Sequence, residues 1–262
     1  MKKLLKNKYH YIFFSPHFDD AVLSCGGLIA RLKKRKVLVV TIFSDWQKGR
    51  LSFYASQYLG FCNFKTPEDY FFFRRKEEAR ASKILGYDCL SLDFSEAIFR
   101  FKKRFFLNSF FYNNTRQLLG KINKEDQKIA DEIEGRIKRT ISKYADSGGK
   151  FYFPLGIGNH IDHQLISQIG RNLTDAYQNE IYFFEDFPYV LNTKRKERED
   201  FFLQKDLKPK KIFLTSQEIE TKYQAILSYR SQIKPLFGTK ENFQKKFFKF
   251  YEDAYEEYGH LI

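Results

Sequence analysis

The stretch that most constrains this chain runs from Tyr11 to Gly27, Tyr-Ile-Phe-Phe-Ser-Pro-His-Phe-Asp-Asp-Ala-Val-Leu-Ser-Cys-Gly-Gly. An apolar, aromatic run that stops at Ser15-Pro16 and gives way to His17, Asp19, Asp20 and a helical pattern reads as strand, turn, helix. In open α/β sheets ligands bind outside the carboxyl ends of the strands, which is where this spacing puts an imidazole and two carboxylates. A second stretch repeats the arrangement. Phe151-Tyr152-Phe153 is an apolar strand, Pro154 to Asn159 a turn, and His160-Ile161-Asp162-His163 opens a helix. His160 and His163, three apart, share one helix face.

Between and beyond these stretches the periods alternate. Asp20 to Lys34 reads as a helix, weakened locally by Gly26-Gly27, a pair suited to close approach to a sheet. Val37 to Phe43 is a strand apolar on both faces, as in a parallel sheet, and completes a βαβ unit. Asp45 to Tyr70 reads as an irregular, aromatic excursion over the strand ends. Arg74 to Leu85 is helical with Gly86 as its C′ residue, and Cys89 to Phe94 is a strand. Phe105 to Asn114 reads equally as pocket wall or packed loop. Lys124 to Tyr144 is an amphipathic helix with isoleucines four apart, and Lys150 to Pro154 is a strand. His160 to Tyr177 is a helix, Glu180 to Phe184 a strand, and Thr193 to Asp200 an exposed loop or helix edge. Lys211 to Ile262 holds one short strand near Ile212 to Leu214 and two helices. The fold class expected is α/β, a Rossmann-like, mainly parallel sheet flanked by helices, with a C-terminal helical segment.

A chain of 262 residues with 43% hydrophobic content can bury a full core. The expectation is one domain over 1–262, with an α/β core over about 9–190 and a mainly helical extension over about 191–262. Three isolated cysteines, Cys25, Cys62 and Cys89, suggest neither a disulfide framework nor a zinc ribbon, so a cytoplasmic setting fits. Met1 to Leu5 begins like a signal peptide, but Lys6, Asn7 and Lys8 interrupt it, and no apolar run approaches the ~20 residues of a membrane helix. The formal charge of +14 admits an anionic partner or a solvated lysine-rich surface. The basic residues are scattered without an RNA-binding signature, and no nucleic acid is expected.

Two imidazoles and a carboxylate can hold a divalent metal with an open position, which lowers the pKa of bound water to about 7. A second carboxylate then serves as base, and a further imidazole as acid or oxyanion donor. Each motif alone also has a plain structural reading, since Asp is a favoured N-cap and paired histidines form ordinary hydrogen bonds. Two His plus one carboxylate is also the facial triad of Fe(II) oxygenases, and a basic, non-catalytic nucleic-acid-binding protein is a further alternative.

The two motifs together resemble the PIG-L/LmbE-like family of zinc-dependent N-acetylglucosaminyl deacetylases. His17-Phe18-Asp19-Asp20 after Pro16 is similar to its Pro-His-x-Asp-Asp signature, and His160 to His163 to its His-x-Asp-His signature. Arg74 to Glu77, with Ala81 and Leu85-Gly86, resembles its Arg-x-x-Glu helix, and Asp93 to Arg100 the segment after it. Glu185 to Tyr189 and Tyr229 to Gln232 resemble blocks of a subgroup that deacetylates glycosylated natural products. The resemblance implies Zn2+, with Fe2+ as the other candidate, bound by His17, Asp20 and His163. It implies Asp19 as general base, His160 as oxyanion donor or acid, and Asp162 as the group orienting His160. Arg74 and Arg100 would contact a substrate carrying an N-acetyl amino sugar, whose amide a metal-bound hydroxide attacks. Phe18, Ala21, Glu96 and Ile161 depart from the family's commoner residues without removing a ligand, and Gly158 stands where some relatives place a larger residue.

Overall fold

Five parallel strands form the frame. They are β1 (Tyr9–Ser15), β2 (Val37–Asp45), β3 (Asp88–Ser95), β6 (Ala145–Pro154) and β7 (Ile181–Phe184). This computed structural model describes residues 7–33, 35–103, 109–177 and 180–261. The Met1 to Leu5 lead-in, Lys34 and Phe105 to Asn108 of the aromatic run lie outside the described residues. A short antiparallel pair, β4 (Phe101–Lys102) and β5 (Ser109–Phe110), stands apart from the sheet.

Strand order in the seven-stranded sheet is β3-β2-β1-β6-β7-β9-β8, with β8 (Leu207–Phe213) and β9 (Tyr255–Leu261) antiparallel at one edge. The chain winds outward from β1 through β2 and β3, then returns to lay β6 on the other side of β1. Between β1 and β6 the winding reverses, and a crevice opens at the strand ends. Aromatic side chains fix these two strands against each other. Phe13 stacks on Tyr152 with centroids 4.3 Å apart, and Phe14 on Phe153 at 4.6 Å. Both motifs thus leave the sheet side by side.

Helix α1 (Asp20–Arg31) follows β1, and α2 (Phe53–Phe61) and α3 (Pro67–Leu85) follow β2. The excursion after Asp45 is therefore partly helical. Helix α3 begins well before Arg74, where Thr66 caps the Asp69 amide and Pro67 takes the first turn, a start obscured in the sequence by the Tyr70 to Phe73 aromatic run. Helices α4 (Thr115–Leu118), α5 (Lys124–Tyr144) and α6 (Ile161–Asn172) come next. Among the described residues no helix is long and apolar enough to cross a membrane.

The segment from Lys211 holds three helices and a second strand where two helices and one strand are expected, and the charged stretch over Thr193 to Asp200 proves to be mostly helix. Helices α7 (Arg195–Leu203), α8 (Ser216–Ile226), α9 (Arg230–Phe237) and α10 (Lys240–Phe250) accompany β8 and β9 in joining the main sheet. Strand β9 escaped detection because Glu256 turns inward, where apolar alternation calls for a hydrophobic residue. Glu256 is paired with the fully buried Lys222 of α8 at 2.7 Å and accepts the Gly27 and Leu28 amides of α1 at 2.8 and 2.9 Å. Gly26 and Gly27 admit this approach. A Cβ on Gly26 would lie 2.7 Å from Lys222 Cγ, and one on Gly27 2.3 Å from Leu214 Cδ1, so the pair serves α8 and the chain end rather than the parallel strands.

Candidate active site

The turn after β1 is closed locally. Ser15 Oγ accepts the Ala21 amide at 2.9 Å, and Asp20 Oδ2 accepts the His17 amide at 2.7 Å. Asp19 occupies the N-cap position of α1 without making a cap bond. Its Oδ1 instead accepts from Nη2 of Arg74, reaching across from α3 at 2.8 Å. The plain capping reading of this aspartate therefore does not describe its side chain.

Asp20 Oδ2 lies 3.1 Å from His17 Nδ1 and 3.2 Å from His163 Nε2, which brings the first motif onto the second. The other nitrogen of His163, Nδ1, is 2.6 Å from Asp186 Oδ1, while Asp186 Oδ2 accepts the Gly156 and Ile157 amides at 2.7 and 2.8 Å. One carboxylate beyond β7 thus fixes both the turn after β6 and the ring that follows it. Asp186 was visible in the sequence only within a block of family resemblance, because its partners are distant in the chain.

Asp162 behaves differently from expectation. Its carboxylate takes His17 Nε2 at 2.9 Å, the Ala97 amide at 3.0 Å and the Arg100 guanidinium, so it orients His17. Its contact with His160 runs through its own amide, which donates to His160 Nδ1 at 3.2 Å. Arg100, expected against substrate, does not line the cavity described below. It is buried between Asp162 and Asp126, the latter at 3.1 Å, and its charge is consumed in compensating theirs. Sequence position alone could not reveal that Asp126, in the first turn of α5, would be its second partner.

The cluster opens into a cavity of about 340 Å³ lined by His17, Asp19, Asp20, Arg74, His160 and Asp162, with an aromatic and aliphatic wall opposite. Glu96 also lines it, with a buried Oε1 that has no hydrogen-bond partner among the described residues, and burial pushes its carboxyl up to about 7. Tyr189 closes one side by lying over Gly158, where a Cβ would sit 2.4 Å from the Tyr189 ring. Gly158 has φ +86, so the glycine is required both by its backbone and by that ring. The space a larger residue would occupy at 158 is filled from the loop after β7.

Charge in this cluster is strongly coupled. Burial disfavours the His17 imidazolium, but Asp20 and Asp162 outweigh it and raise the ring well above the ordinary histidine range. Burial likewise opposes charge on His163, yet Asp20 and Asp186 bring it up to about 9. Asp20 goes the other way, its burial overcome by His163 and His17, and lies well below the usual carboxylate range. Asp162, beside Arg100 and His17, is also held low despite burial. Burial and the His17 charge keep His160 neutral, well below the ordinary value.

In the metal-free protein the raised His163 contributes stability fully present below pH ~6.5 and lost as pH rises through about 9. The depressed Asp20 contributes above its unfolded value of 3.8 and loses that as the medium becomes more acidic. Chelator-treated protein is therefore expected to show a denaturant midpoint that falls between pH 6.5 and 9, more steeply than that of His163→Gln. Equal slopes for the two proteins would remove His163 from this account.

Two groupings could hold a cation, His17 with Asp20 and His163, and His17 with His160 and Asp162. In the second, His160 Nδ1 is occupied by an amide and both Asp162 oxygens are engaged. In the first, His163 Nε2 is buried without a hydrogen-bond partner among the described residues, an atom that a cation beside Asp20 would satisfy. Two nitrogens and a carboxylate oxygen suit zinc with a position left open.

A family model for GlcNAc-PI de-N-acetylase, PIG-L, matches residues 12–174. A 2′-N-acetylparomamine deacetylase of Niallia circulans is 28% identical over 250 residues, covering 89% of this chain and 84% of its own length. The zinc-inhibited form of a teicoplanin deacetylase shares the fold with a TM-score of 0.79 at 21% identity, covering 95% of this chain and 96% of its own. N,N′-Diacetylchitobiose deacetylase from Pyrococcus horikoshii gives a TM-score of 0.55 at 15% identity, with 95% and 82% covered. The family match spans more than half of the chain and contains both motifs with the strands that carry them, and the chain belongs to the PIG-L family of de-N-acetylases.

Proposed function

We propose that the protein is a zinc-dependent amide hydrolase that removes the acetyl group from an N-acetylated amino sugar within a larger conjugate. The observation that carries this reading is the convergence of two strand-end motifs on one cavity, with a buried His163 Nε2 that lies 3.2 Å from Asp20 Oδ2 and makes no hydrogen bond among the described residues. His17, Asp20 and His163 would hold the ion. Zinc in such a set lowers the pKa of a water to about 7 and polarises a carbonyl.

The remaining steps belong to the chain. Asp19 takes a proton from the attacking water on a carboxylate oxygen, held in place by the 2.8 Å contact from Arg74. His160 Nδ1 accepts the Asp162 amide, so the neutral ring carries its proton on Nε2. That N–H donates to the acetamide oxygen as charge builds there. The C–O bond forms first, and the C–N bond breaks as the carbonyl re-forms and the proton that Asp19 took from water passes to the departing amine, giving acetate and a free amino sugar. Arg74 Nε and Nη1, buried and without hydrogen-bond partners among the described residues, are donors left for sugar hydroxyls. The proteins named above are, by their names, deacetylases of 2′-N-acetylparomamine, teicoplanin and N,N′-diacetylchitobiose, which supports deacetylation of an N-acetylated sugar here.

The test is acetate release from a panel containing N-acetylglucosamine glycosides, N,N′-diacetylchitobiose and 2′-N-acetylparomamine. Zinc-loaded protein is expected to release acetate from at least one, and chelation to abolish the release. Acetate released equally before and after complete removal of metal would overturn the zinc assignment. No release from any member by protein with stoichiometric zinc would overturn the substrate class.

A further inference from the structure

Besides its charged groups, the cavity is lined by another kind of surface. Helix α2 presents Tyr54, Tyr58 and Phe61 to the cavity, spaced i, i+4, i+7 on one face. A different face of the same helix, with Ala55 and Leu59, is buried in the core. A short helix apolar on two sides needs a second apolar neighbour, and on this side the neighbour is the cavity. Leu118 at the end of α4, Leu119 after it and Leu236 of α9 continue the wall.

The few polar groups on this wall satisfy one another. Tyr54 Oη and Thr115 Oγ1 are 3.1 Å apart, and Tyr58 Oη donates to Gln232 Oε1 at 3.5 Å. None of these wall side chains is charged. Lys234 stacks 5.0 Å from the Phe61 ring centroid and is not part of the lining. Phe61 and Leu119 remain 49% and 37% exposed, so the apolar wall reaches the rim. A substrate that ended at the sugar would leave this surface in water.

Resting on the deacetylase reading above, we propose that this wall is a subsite for an uncharged apolar aglycone, aryl or alkyl, attached to the sugar whose acetamide lies over Asp19 and His160. None of the wall side chains is itself a carboxylate that could pair with a polyamine or a basic group that could pair with a diphosphate. Arg74, elsewhere in the lining, gives Nη2 to Asp19 and keeps Nε and Nη1 for the sugar. An apolar aglycone would instead cover Phe61 and Leu119, and each buried methylene favours binding about threefold to fourfold.

The experiment measures kcat/KM for methyl, butyl, octyl and phenyl N-acetyl-β-glucosaminides, UDP-N-acetylglucosamine and 2′-N-acetylparomamine. Calorimetric binding of the corresponding methyl and octyl glucosaminide products gives a readout independent of turnover. The alkyl series is expected to rise by at least about thirtyfold from methyl to octyl, in both turnover and binding. Phenyl above butyl would mark an aryl aglycone, and octyl above phenyl a lipid-like one. Phe61→Asp is expected to cut the octyl-to-methyl ratio about tenfold, a ratio taken within one preparation and so insensitive to its folded fraction. A flat series, a preference for the nucleotide or aminoglycoside substrate, or a ratio unmoved by Phe61→Asp would overturn the subsite. If no sugar is deacetylated, the deacetylase reading fails, and the binding series still decides the subsite.

Discussion

Asp19→Asn is expected to lower kcat by about 10²- to 10⁴-fold while leaving the fold and the bound metal in place. The amide oxygen of Asn still accepts from Arg74, but it cannot take a proton at neutral pH. The substitution removes no helix cap, because the Asp19 side chain makes no cap bond. Arg74 also keeps a second countercharge, Glu77 Oε2 at 3.6 Å, so its burial is not left wholly uncompensated. Steady-state rates beside zinc content and circular dichroism make the comparison. A variant that folds, binds zinc and retains half of the wild-type rate would remove Asp19 from the role of base.

Lys222→Ala is expected to destabilise the protein by roughly 3–5 kcal/mol, the usual cost of removing one partner of a buried ion pair. Lys222 Nζ donates to Glu256 Oε1, to the Ser24 carbonyl at 2.9 Å and to the Tyr251 hydroxyl, all without access to water. Removing it leaves a carboxylate among apolar groups and opens a cavity against Gly26. Pairing Lys222→Met with Glu256→Gln restores part of the loss, because Gln keeps an acceptor for the Gly27 and Leu28 amides and carries no charge. Urea denaturation of the two variants and the wild type provides the measurement. A loss below about 1 kcal/mol for Lys222→Ala would mean that the pair is not a structural clasp.

The parts of the fold legible in the sequence were those set by local rules. Strands β1, β2 and β7 and the Lys150 to Pro154 part of β6 are short apolar runs bounded by turn residues, whereas the polar Ala145 to Gly149 start of β6 gives no such signal; α5 has an uninterrupted amphipathic period. The convergence of His17, Asp19, Asp20, His160 and His163 followed from placing two similar motifs at parallel strand ends. What escaped depends on contacts between distant residues. Arg100 became a partner of Asp126 and Asp162, Asp186 became the holder of His163, and Glu256 became the inward charge of a strand. The Fe(II) oxygenase alternative arose because a ligand set read without its scaffold is shared by several chemistries, and membership of the PIG-L family now argues against it.

The position of β9 between β7 and β8 has a consequence for the order in which the chain can assemble as it leaves the ribosome. All five parallel strands, and both motifs, are synthesised before residue 190, whereas β8 pairs with β9 and not with β7. Strand β8 must therefore wait, unpaired, until Tyr255 to Leu261 has emerged to join it to the sheet. Its sequence, Leu-Lys-Pro-Lys-Lys-Ile-Phe, is suited to that interval, since clustered lysines and a proline discourage a free strand from pairing with another nascent chain.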